Sequence, residues 1–170
     1  MVSHLDKKNN PIMVDVGYKD ITQRIAEAEG EVIFDKNTFK KIESLKSKKG
    51  SIKNIAVIAG IMGAKETSRL IPLCHNIPID SINIEITKDN KKNLIKVKAV
   101  VKTSSKTGVE MESLTAVTIS CLTIYDMCKY LNKSIKISTG IKYFALIGTG
   151  TNNRNNSTLG NIIPKATRIP

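Results

Sequence analysis

SINIEITKDNKKNLIKVKAVVKT, residues 81–103, is the stretch that decides the fold. Apolar and polar residues alternate through 81–87 and again through 94–103, with the polar run 88–93 between them. A period of two places alternate side chains on opposite faces of a strand, so the pattern predicts a β-hairpin with one buried face. The side chains expected on that face are Ile82, Ile84, Ile86, Ile95, Val97, Ala99 and Val101.

A long amphipathic helix is predicted after the hairpin. Beyond a turn at 104–108, apolar residues recur at alternating intervals of three and four up to about residue 131, which is the spacing of one helix face. Those residues are Leu114, Val117, Cys121, Ile124, Cys128 and Leu131. The next segment, 135–146, alternates weakly and is expected to form the last strand.

The segments before the hairpin have weaker patterns. Residues 12–16 are expected to form a short strand, and 22–34 is expected to be extended, although Ala-Glu-Ala-Glu at 26–29 would equally suit a helix. Two helices are expected next. The first covers 35–47 with Asp35 or Asn37 as its cap, and the second covers 51–71 until Pro72 stops it.

The order strand, helix, strand, strand, helix, strand, with one extra helix, predicts an α+β fold. The fold expected is a ferredoxin-like split βαβ sandwich, an antiparallel sheet with helices packed on one face. A length of 170 residues suits a single domain. We expect a flexible N-terminus over 1–11, one catalytic domain over 12–147 and a disordered tail over 148–170, which has no acidic residue and no periodicity.

The chain is strongly basic, with 27 Lys and Arg against 15 Asp and Glu and a formal charge of +12. Such a charge suits a nucleic-acid surface, a lysine-rich solvated surface, or a site for a phosphorylated small substrate. Three Phe, four Tyr and no Trp form no stacking pattern of the kind that RNA-binding sheets use. The aromatic content therefore argues against nucleic acid as the partner.

Cysteine usage and the absence of long apolar segments bear on the compartment. Cys74, Cys121 and Cys128 form no metal-type pair, so we expect buried thiols in a reducing compartment and no metal. No apolar stretch reaches the ~20 residues needed to cross a bilayer, and no signal peptide is visible. A cytoplasmic protein with no membrane partner is the expectation.

Asp126 and Lys129 lie three residues apart on one flank of the long helix. They form either a surface ion pair worth ~0.2–0.5 kcal/mol or an acid–base pair in a cleft. In a cleft, Asp126 would keep Lys129 protonated, or burial would lower the pKa of the lysine until it could exchange protons near neutrality.

Glu110 and Glu112 follow Gly108 near the start of the same helix. They either favour the positive end of the helix dipole or belong to a site. If the helix already includes Glu112, Asp126 lies fourteen residues later, about 21 Å along the axis, which is too far for one small-molecule site. Either the helix begins later, or the sites are completed by another subunit.

Other charged residues are open to a structural or a functional interpretation. His75 is either a satisfied structural residue or a substrate contact in a loop fixed by Pro72. Lys49, Arg24 and Lys65 are surface cations or site residues. Asp15 lies in an apolar segment and is expected to have a cationic partner.

Four segments together resemble one family: MVDV at 13–16, IPLCH at 71–75, TGVEME at 107–112 and LTIYDMCK at 122–129. They are similar, in register, to the cyclic pyranopterin monophosphate synthases of molybdenum cofactor biosynthesis, the MoaC family. The similarity covers about residues 12–145 in order.

The resemblance implies a ferredoxin-like subunit in a homohexamer, a trimer of dimers with active sites at subunit interfaces. It also implies that a radical-SAM GTP cyclase supplies the substrate, a cyclised dihydro-GTP. The enzyme would rearrange this nucleotide to a pterin, close a cyclic phosphate and release pyrophosphate. No cofactor is implied, because lysines and carboxylates can perform the proton transfers.

The resemblance also assigns roles to residues by motif match. It places Asp126, Lys129 and Lys49 in the catalytic centre. The implied substrate contacts are Leu73, Cys74, His75, Met111 and Glu112, and the residues that line or support the pocket are Glu110, Arg24, Lys65 and Asp15.

The segment after the last strand departs from the family pattern. The family usually has a Lys-Ser-Gly-Gly-Lys-like motif there, whereas this chain has ALIGTGT at 145–151 and no lysine between Lys142 and Lys165. The departure predicts slower turnover than that of a typical member. It also leaves open two alternatives, an inactive homologue that keeps only the assembly, and a basic nucleic-acid-binding module.

Overall fold

The antiparallel sheet expected around the hairpin is present, with helices on one of its faces. The computed structural model describes residues 5, 6, 8–42, 46, 47, 50–138 and 142–147. In chain order the elements are β1 (Thr22–Ile33), α1 (Lys36–Lys41), β2 (Lys46–Ser47), β3 (Gly50–Ser51), α2 (Ile52–Lys65), α3 (Thr67–Leu70), β4 (Ser81–Asp89), β5 (Leu94–Ser105), α4 (Glu110–Cys128), β6 (Lys136–Ile137) and β7 (Lys142–Ile147).

The main sheet has the order β4-β5-β1, with β6 and β7 both along the other edge of β1. β1 pairs with β5 over its whole length, from Thr22 opposite Ser105 to Ile33 opposite Leu94. β4 and β5 form the predicted hairpin, and every pairing in the sheet is antiparallel. The ferredoxin-like α+β fold is therefore confirmed.

β1 is a strand, as predicted for residues 22–34, although the sequence at 26–29 suited a helix equally well. Ala26, Ala28, Gly30 and Val32 are buried, and the residues between them are only partly buried, so the period of two decides the element. Gly30 allows α4 to approach, because a Cβ there would lie 2.6 Å from Val117 Cγ1 and 3.1 Å from Cys121 Sγ. The core between sheet and helices therefore depends on small residues in β1.

Three predicted boundaries are wrong. The first helix ends at Lys41, and Lys46–Ser47 pairs instead with Gly50–Ser51, while 43–45 lies outside the described residues. The second helix is interrupted at Glu66, where the Thr67 hydroxyl donates to the Gly63 carbonyl oxygen and competes with the helical bond. The last strand is divided into β6 and β7.

The strand predicted over 12–16 is absent. Its backbone groups bond outside any strand ladder: the Val14 carbonyl oxygen contacts the His75 ring, and the Val16 carbonyl oxygen accepts from the Lys19 amide in a turn. The flexible N-terminus and the disordered tail stay predictions, because 1–4, 7 and 148–170 lie outside the described residues.

The predicted thiol state agrees with the structure. All three cysteines are free, and Cys121 and Cys128 are buried. Burial raises the pKa of Cys121 to about 12 and that of Cys128 to about 11, so neither forms a thiolate near neutral pH. Of the helices in the described part of the chain, none has both the length and the apolar character needed to span a bilayer.

Gly60→Ala is expected to lower the free energy of unfolding by about 1–3 kcal/mol, because it overfills the contact between α2 and α4. The new Cβ would overlap Ser120 Oγ and lie 2.6 Å from Ile84 Cδ1 and 2.9 Å from the Ala116 carbonyl oxygen. Ser120 cannot yield freely, because its hydroxyl donates to the Ala56 carbonyl oxygen at 2.9 Å. Urea denaturation measures the loss.

Gly63→Ala is the matched control in the same helix. The three nearest neighbours of a Cβ at Gly63 are side-chain atoms of Ile119, at 2.8 Å or more, so the overlap is smaller than at Gly60 and involves no backbone atom among them. The gain in helix propensity, about 1 kcal/mol, then offsets part of the cost, and a smaller loss than in Gly60→Ala is expected. Equal losses in the two variants would contradict the proposed tight contact at Gly60.

Candidate functional site

The C-terminal end of α4 carries an ion pair. Lys129 Nζ lies 2.7 Å from Asp126 Oδ1, and about half of each side chain is exposed. The hydrogen bond and the charge of Asp126 raise the pKa of Lys129 above its ordinary value. Asp126 therefore favours the protonated form of Lys129 in the isolated subunit. The alternative of a lysine whose pKa is lowered by burial does not apply there.

The N-terminal end of α4 carries a buried carboxylate. Glu112 is 5% exposed, and burial raises its pKa, with a smaller effect in the same direction from Glu110. No ion pair joins Glu112 to another residue in the described ranges. A buried carboxylate without a cation is costly, and in proteins it usually indicates a site where a partner or ligand supplies the missing charge or N–H groups.

The loop after α3 brings Cys74 to this end of α4. Burial raises the pKa of Cys74, and the charge of Glu112 raises it further. Leu73, Cys74 and His75 are all half-buried in this loop. We call Cys74, His75, Glu110 and Glu112 the N-terminal cluster, and Asp126 with Lys129 the C-terminal pair.

Glu110 depends on the glycine before it. Its carboxylate lies back over Gly108, where a Cβ would overlap the carboxyl group. A glycine at this position therefore lets the acid fold over the connection between β5 and α4. Met111, between the two acids, is 36% exposed and open to contact with a ligand.

One continuous helix separates the cluster from the pair. α4 includes both Glu112 and Asp126, fourteen residues apart, which corresponds to about 21 Å along the axis. The possibility that the helix begins after Glu112 is excluded. The two groups therefore cannot contact one small ligand within a single subunit.

The remaining assigned residues have diverse surroundings. Arg24 donates from Nε to the Ser105 carbonyl oxygen and from Nη2 to the Lys106 carbonyl oxygen, both at 3.3 Å, so it supports the end of β5. Lys65 is exposed at the end of α2. Lys49 lies outside the described residues.

Asp15 differs from its expectation. It is exposed, and its Oδ1 accepts from the Gly17 amide at 2.7 Å. Within the described ranges no ion pair involves Asp15, so the predicted cationic partner is wrong for the subunit alone. The cause is the turn at Gly17, which provides an amide donor close to the carboxylate.

Sequence reasoning missed Lys106, whose Nζ donates to the Gly17 carbonyl oxygen at 2.6 Å. No spacing could have indicated this contact, because the two residues are far apart in the chain and Lys106 resembles an ordinary lysine in a turn. The register between β1 and β5 alone brings this turn beside residue 17.

The sheet face without helices carries a concavity of about 400 Å³ that no motif had indicated. Glutamates on β1 and β4 flank lysines on β5 across this face, and Lys98 Nζ lies 2.6 Å from Glu27 Oε1. The charged residues of the concavity are Glu29, Glu31, Glu85, Lys96 and Lys98. Rows of glutamates repel phosphates, so this face disfavours the alternative of a nucleic-acid-binding sheet.

Metal binding is not indicated by the described residues, among which no group of three or more His, Cys, Asp or Glu side chains could hold an ion. The residues assigned to the site carry amines, a guanidinium, carboxylates, one imidazole and a thiol. Proton transfer and the binding of a phosphorylated, N–H-rich ligand both use these groups.

Comparison with known proteins agrees with the resemblance in the motifs. The model of the MoaC family matches residues 13–144. A protein of Helicobacter pylori (strain Shi470) named cyclic pyranopterin monophosphate synthase is 47% identical over 137 residues, which cover 81% of this chain and 87% of the relative. A protein of the same name from Campylobacter lari is 48% identical over 137 residues, with the same two coverages.

Asp126→Asn is expected to lower the pKa of Lys129 towards its ordinary value of 10.5, because the acceptor loses its charge. NMR titration of the lysine Cε signals measures the change. The Lys98–Glu27 pair offers a matched control, since the hydrogen bond from Glu27 raises the pKa of Lys98 in the same way. Glu27→Gln should shift Lys98 and leave Lys129 unchanged.

The two variants together distinguish a local effect from a general one. If Asp126→Asn left the titration of Lys129 unchanged, or if it moved Lys98 as much as Lys129, the assigned pairing would be wrong.

Proposed function

The chain belongs to the MoaC family, and we propose that it acts as a cyclic pyranopterin monophosphate synthase in molybdenum cofactor biosynthesis. The family match is the observation that carries the proposal. It spans every residue assigned to the site, from Asp15 through Lys49 and His75 to Lys129. The relatives that bear this name are nearly half identical to the chain over most of their length.

The substrate in this proposal is the cyclised dihydro-GTP made by a radical-SAM GTP cyclase. The enzyme rearranges it to a pterin and then closes the cyclic phosphate. In that closure a substrate hydroxyl forms a bond to the α-phosphorus, the bond from that phosphorus to the pyrophosphate oxygen breaks, and the hydroxyl proton passes to a base. Cyclic pyranopterin monophosphate and pyrophosphate are the products, which makes the protein a phosphorus–oxygen lyase.

Lys129 has the role of a cation and a proton donor. The contact with Asp126 at 2.7 Å supports this role, because it favours the charged amine. A protonated lysine stabilises the negative charge that develops on a departing pyrophosphate, and it can give a proton to an opening ring. Lys49 is proposed as a second proton-handling lysine on the strength of its family position alone.

Glu112 has the complementary role of an acceptor. Its burial and its raised pKa support this role, because a carboxylate with a pKa closer to neutrality exchanges protons more readily. When ionised it accepts the N–H groups of a guanine-derived ring, which also compensates its buried charge. Cys74 and His75 complete the substrate contacts on this side, with Leu73 and Met111 as the apolar neighbours.

The active site is proposed to lie between subunits. The separation of about 21 Å within α4 supports this arrangement, because the N-terminal cluster of one chain must meet the C-terminal pair of another. A homohexamer built as a trimer of dimers provides such interfaces, with residues 12–147 as the catalytic domain. A cytoplasmic location belongs to the same proposal, and three free thiols support a reducing compartment.

An inactive homologue is the second candidate, and the end of the chain favours it. ALIGTGT at 145–151 replaces the lysine-containing motif that the family usually has. An amine that reaches the site from this segment would be lost, so turnover slower than that of a typical member is the expected result. The assay below separates slow turnover from none.

The purified protein is expected to convert the cyclised dihydro-GTP to cyclic pyranopterin monophosphate and pyrophosphate. Lys129→Ala is expected to lower kcat by about 100-fold or more, because it removes a proton donor and cation at the reacting group. Lys91→Ala, which changes an exposed lysine in the turn between β4 and β5, is the matched control and should keep the parental rate. Product formation is followed by chromatography, and assembly by light scattering.

Absence of product from the correctly assembled parent would refute the synthase activity and favour the inactive homologue. A Lys129→Ala variant as active as the parent would refute the role of the C-terminal pair instead. A salt-dependent complex with single-stranded RNA, without turnover, would favour the basic nucleic-acid-binding module.

Mixed oligomers test whether sites are shared. Glu112→Gln and Asp126→Asn chains, each inactive alone, should regain about a quarter of the parental sites when refolded together in equal amounts, because half the chains carry each intact end. Refolding Asp126→Asn with Lys129→Ala is the control. Both changes affect the same end of α4, so no mixture restores a site. Recovery in neither mixture would contradict the shared site.

A further inference from the structure

The segment before β1 has no helix or strand, yet polar contacts hold it in place. The Lys19 amide donates to the Val16 carbonyl oxygen at 3.1 Å and closes a turn, inside which Asp15 Oδ1 accepts from the Gly17 amide. Burial is partial, since Met13 and Tyr18 are exposed and Val14 and Val16 are only half-buried. The position of the segment therefore depends on its hydrogen bonds to the rest of the subunit.

One of those bonds involves His75. Its Nε2 lies 2.7 Å from the Val14 carbonyl oxygen. A carbonyl oxygen can only accept, so Nε2 must carry the proton of this bond. In the neutral imidazole the lone pair is then on Nδ1, which leaves Nδ1 as the acceptor for any ligand that binds beside Cys74.

A second bond is supplied by Lys106, in the connection between β5 and α4. Its Nζ donates to the Gly17 carbonyl oxygen at 2.6 Å, three residues beyond Val14. The backbone of Lys106 is itself held by Arg24, whose guanidinium donates to the carbonyl oxygens of Ser105 and Lys106. The ammonium therefore extends from a fixed backbone position.

We propose that Lys106 is a positioning residue that holds His75, through the segment 14–17, with its Nε2 bonded to Val14 and its Nδ1 left to accept from the substrate. The connection that carries Lys106 leads directly into Glu110 and Glu112. One short stretch of chain thus sets both the acids and the imidazole of the N-terminal cluster. The substrate contact of His75 rests on the proposed function. The tether, by which Lys106 holds the segment 14–17 against His75, does not.

Lys106 acts on His75 indirectly, through the segment 14–17 that both side chains contact. Without the ammonium, the Gly17 carbonyl oxygen loses this donor, and among the described contacts of the segment with the rest of the subunit the bond between Val14 and His75 remains. Val14 and Val16 are only half-buried, so their packing is a weak substitute for the lost hydrogen bond. The Val14 carbonyl oxygen then moves relative to the imidazole, and the ring loses its fixed orientation.

Lys106→Met tests the tether, because it keeps the length of the side chain and removes the donor. The chain has two histidines, so a His4→Gln background leaves His75 as the single imidazole in a 15N-histidine spectrum. In the parent, the Nε2–H proton should give a resolved signal that is protected from exchange with water. In Lys106→Met this signal should be lost. Lys106→Arg, which restores a donor, should recover it.

The kinetic readout is kcat/KM for the cyclised dihydro-GTP. A fall of about tenfold in Lys106→Met is expected, because a misplaced contact raises the barrier without removing a catalytic group. Lys102→Met is the matched control: this lysine is exposed on β5, four residues earlier, and should keep both the signal and the rate. Unchanged backbone amide spectra show that the variants fold.

Each outcome decides one part of the proposal. Retention of the His75 signal in Lys106→Met overturns the tether, whatever the rate. Loss of the signal with an unchanged kcat/KM overturns the positioning role. If the parent shows no turnover and Lys106→Met still loses the His75 signal, the tether is supported and only the proposed function is contradicted.

Discussion

The unbroken helix from Glu110 to Cys128 is the constraint on which the rest depends. An α-helix is rigid along its axis, so the groups at its two ends keep a fixed separation of about 21 Å whatever the side chains do. Glycines let this helix pack closely against its neighbours, with Gly30 of β1 beneath it and Gly60 of α2 beside it. The fold thus holds both ends in place but cannot bring them together. If both ends serve one site, as proposed, the second half of that site must come from a partner chain.

The two ends also differ in electrostatic character. At one end, the partner of Lys129 stabilises its charged form, so the amine stays protonated. At the other end, burial disfavours the charged form of Glu112. A pair of groups whose environments favour a retained proton on one side and an exchangeable proton on the other suits a reaction with several proton transfers. The concavity on the opposite sheet face, with its compensated glutamates and lysines, has no comparable uncompensated group in the described residues.

The sequence allowed the fold to be predicted wherever one face of an element is buried. The hairpin and α4 followed from periods of two and of three to four, and most of the side chains expected on their inner faces are buried. Ile82, Leu114 and Leu131 are only half-buried, and the helix ends at Cys128 rather than near residue 131. The strand predicted over 12–16 was wrong. Its apolar composition suggested a strand, but a strand must pair with a neighbour, and this segment has no such neighbour in the described part of the chain. The motifs supplied the proposed site residues, but not the contact between Lys106 and Gly17 or the bond between His75 and Val14. Both contacts depend on tertiary register between residues far apart in the chain, which local pattern does not encode.

The buried thiols have a consequence for handling and for physiology. Oxidation by peroxide and disulfide exchange both begin with attack by a thiolate, and burial keeps Cys121 and Cys128 in the neutral thiol form at any pH a cell experiences. Cys74 is protected in the same direction by its own burial and by the neighbouring negative charge. The folded subunit should therefore be insensitive to air.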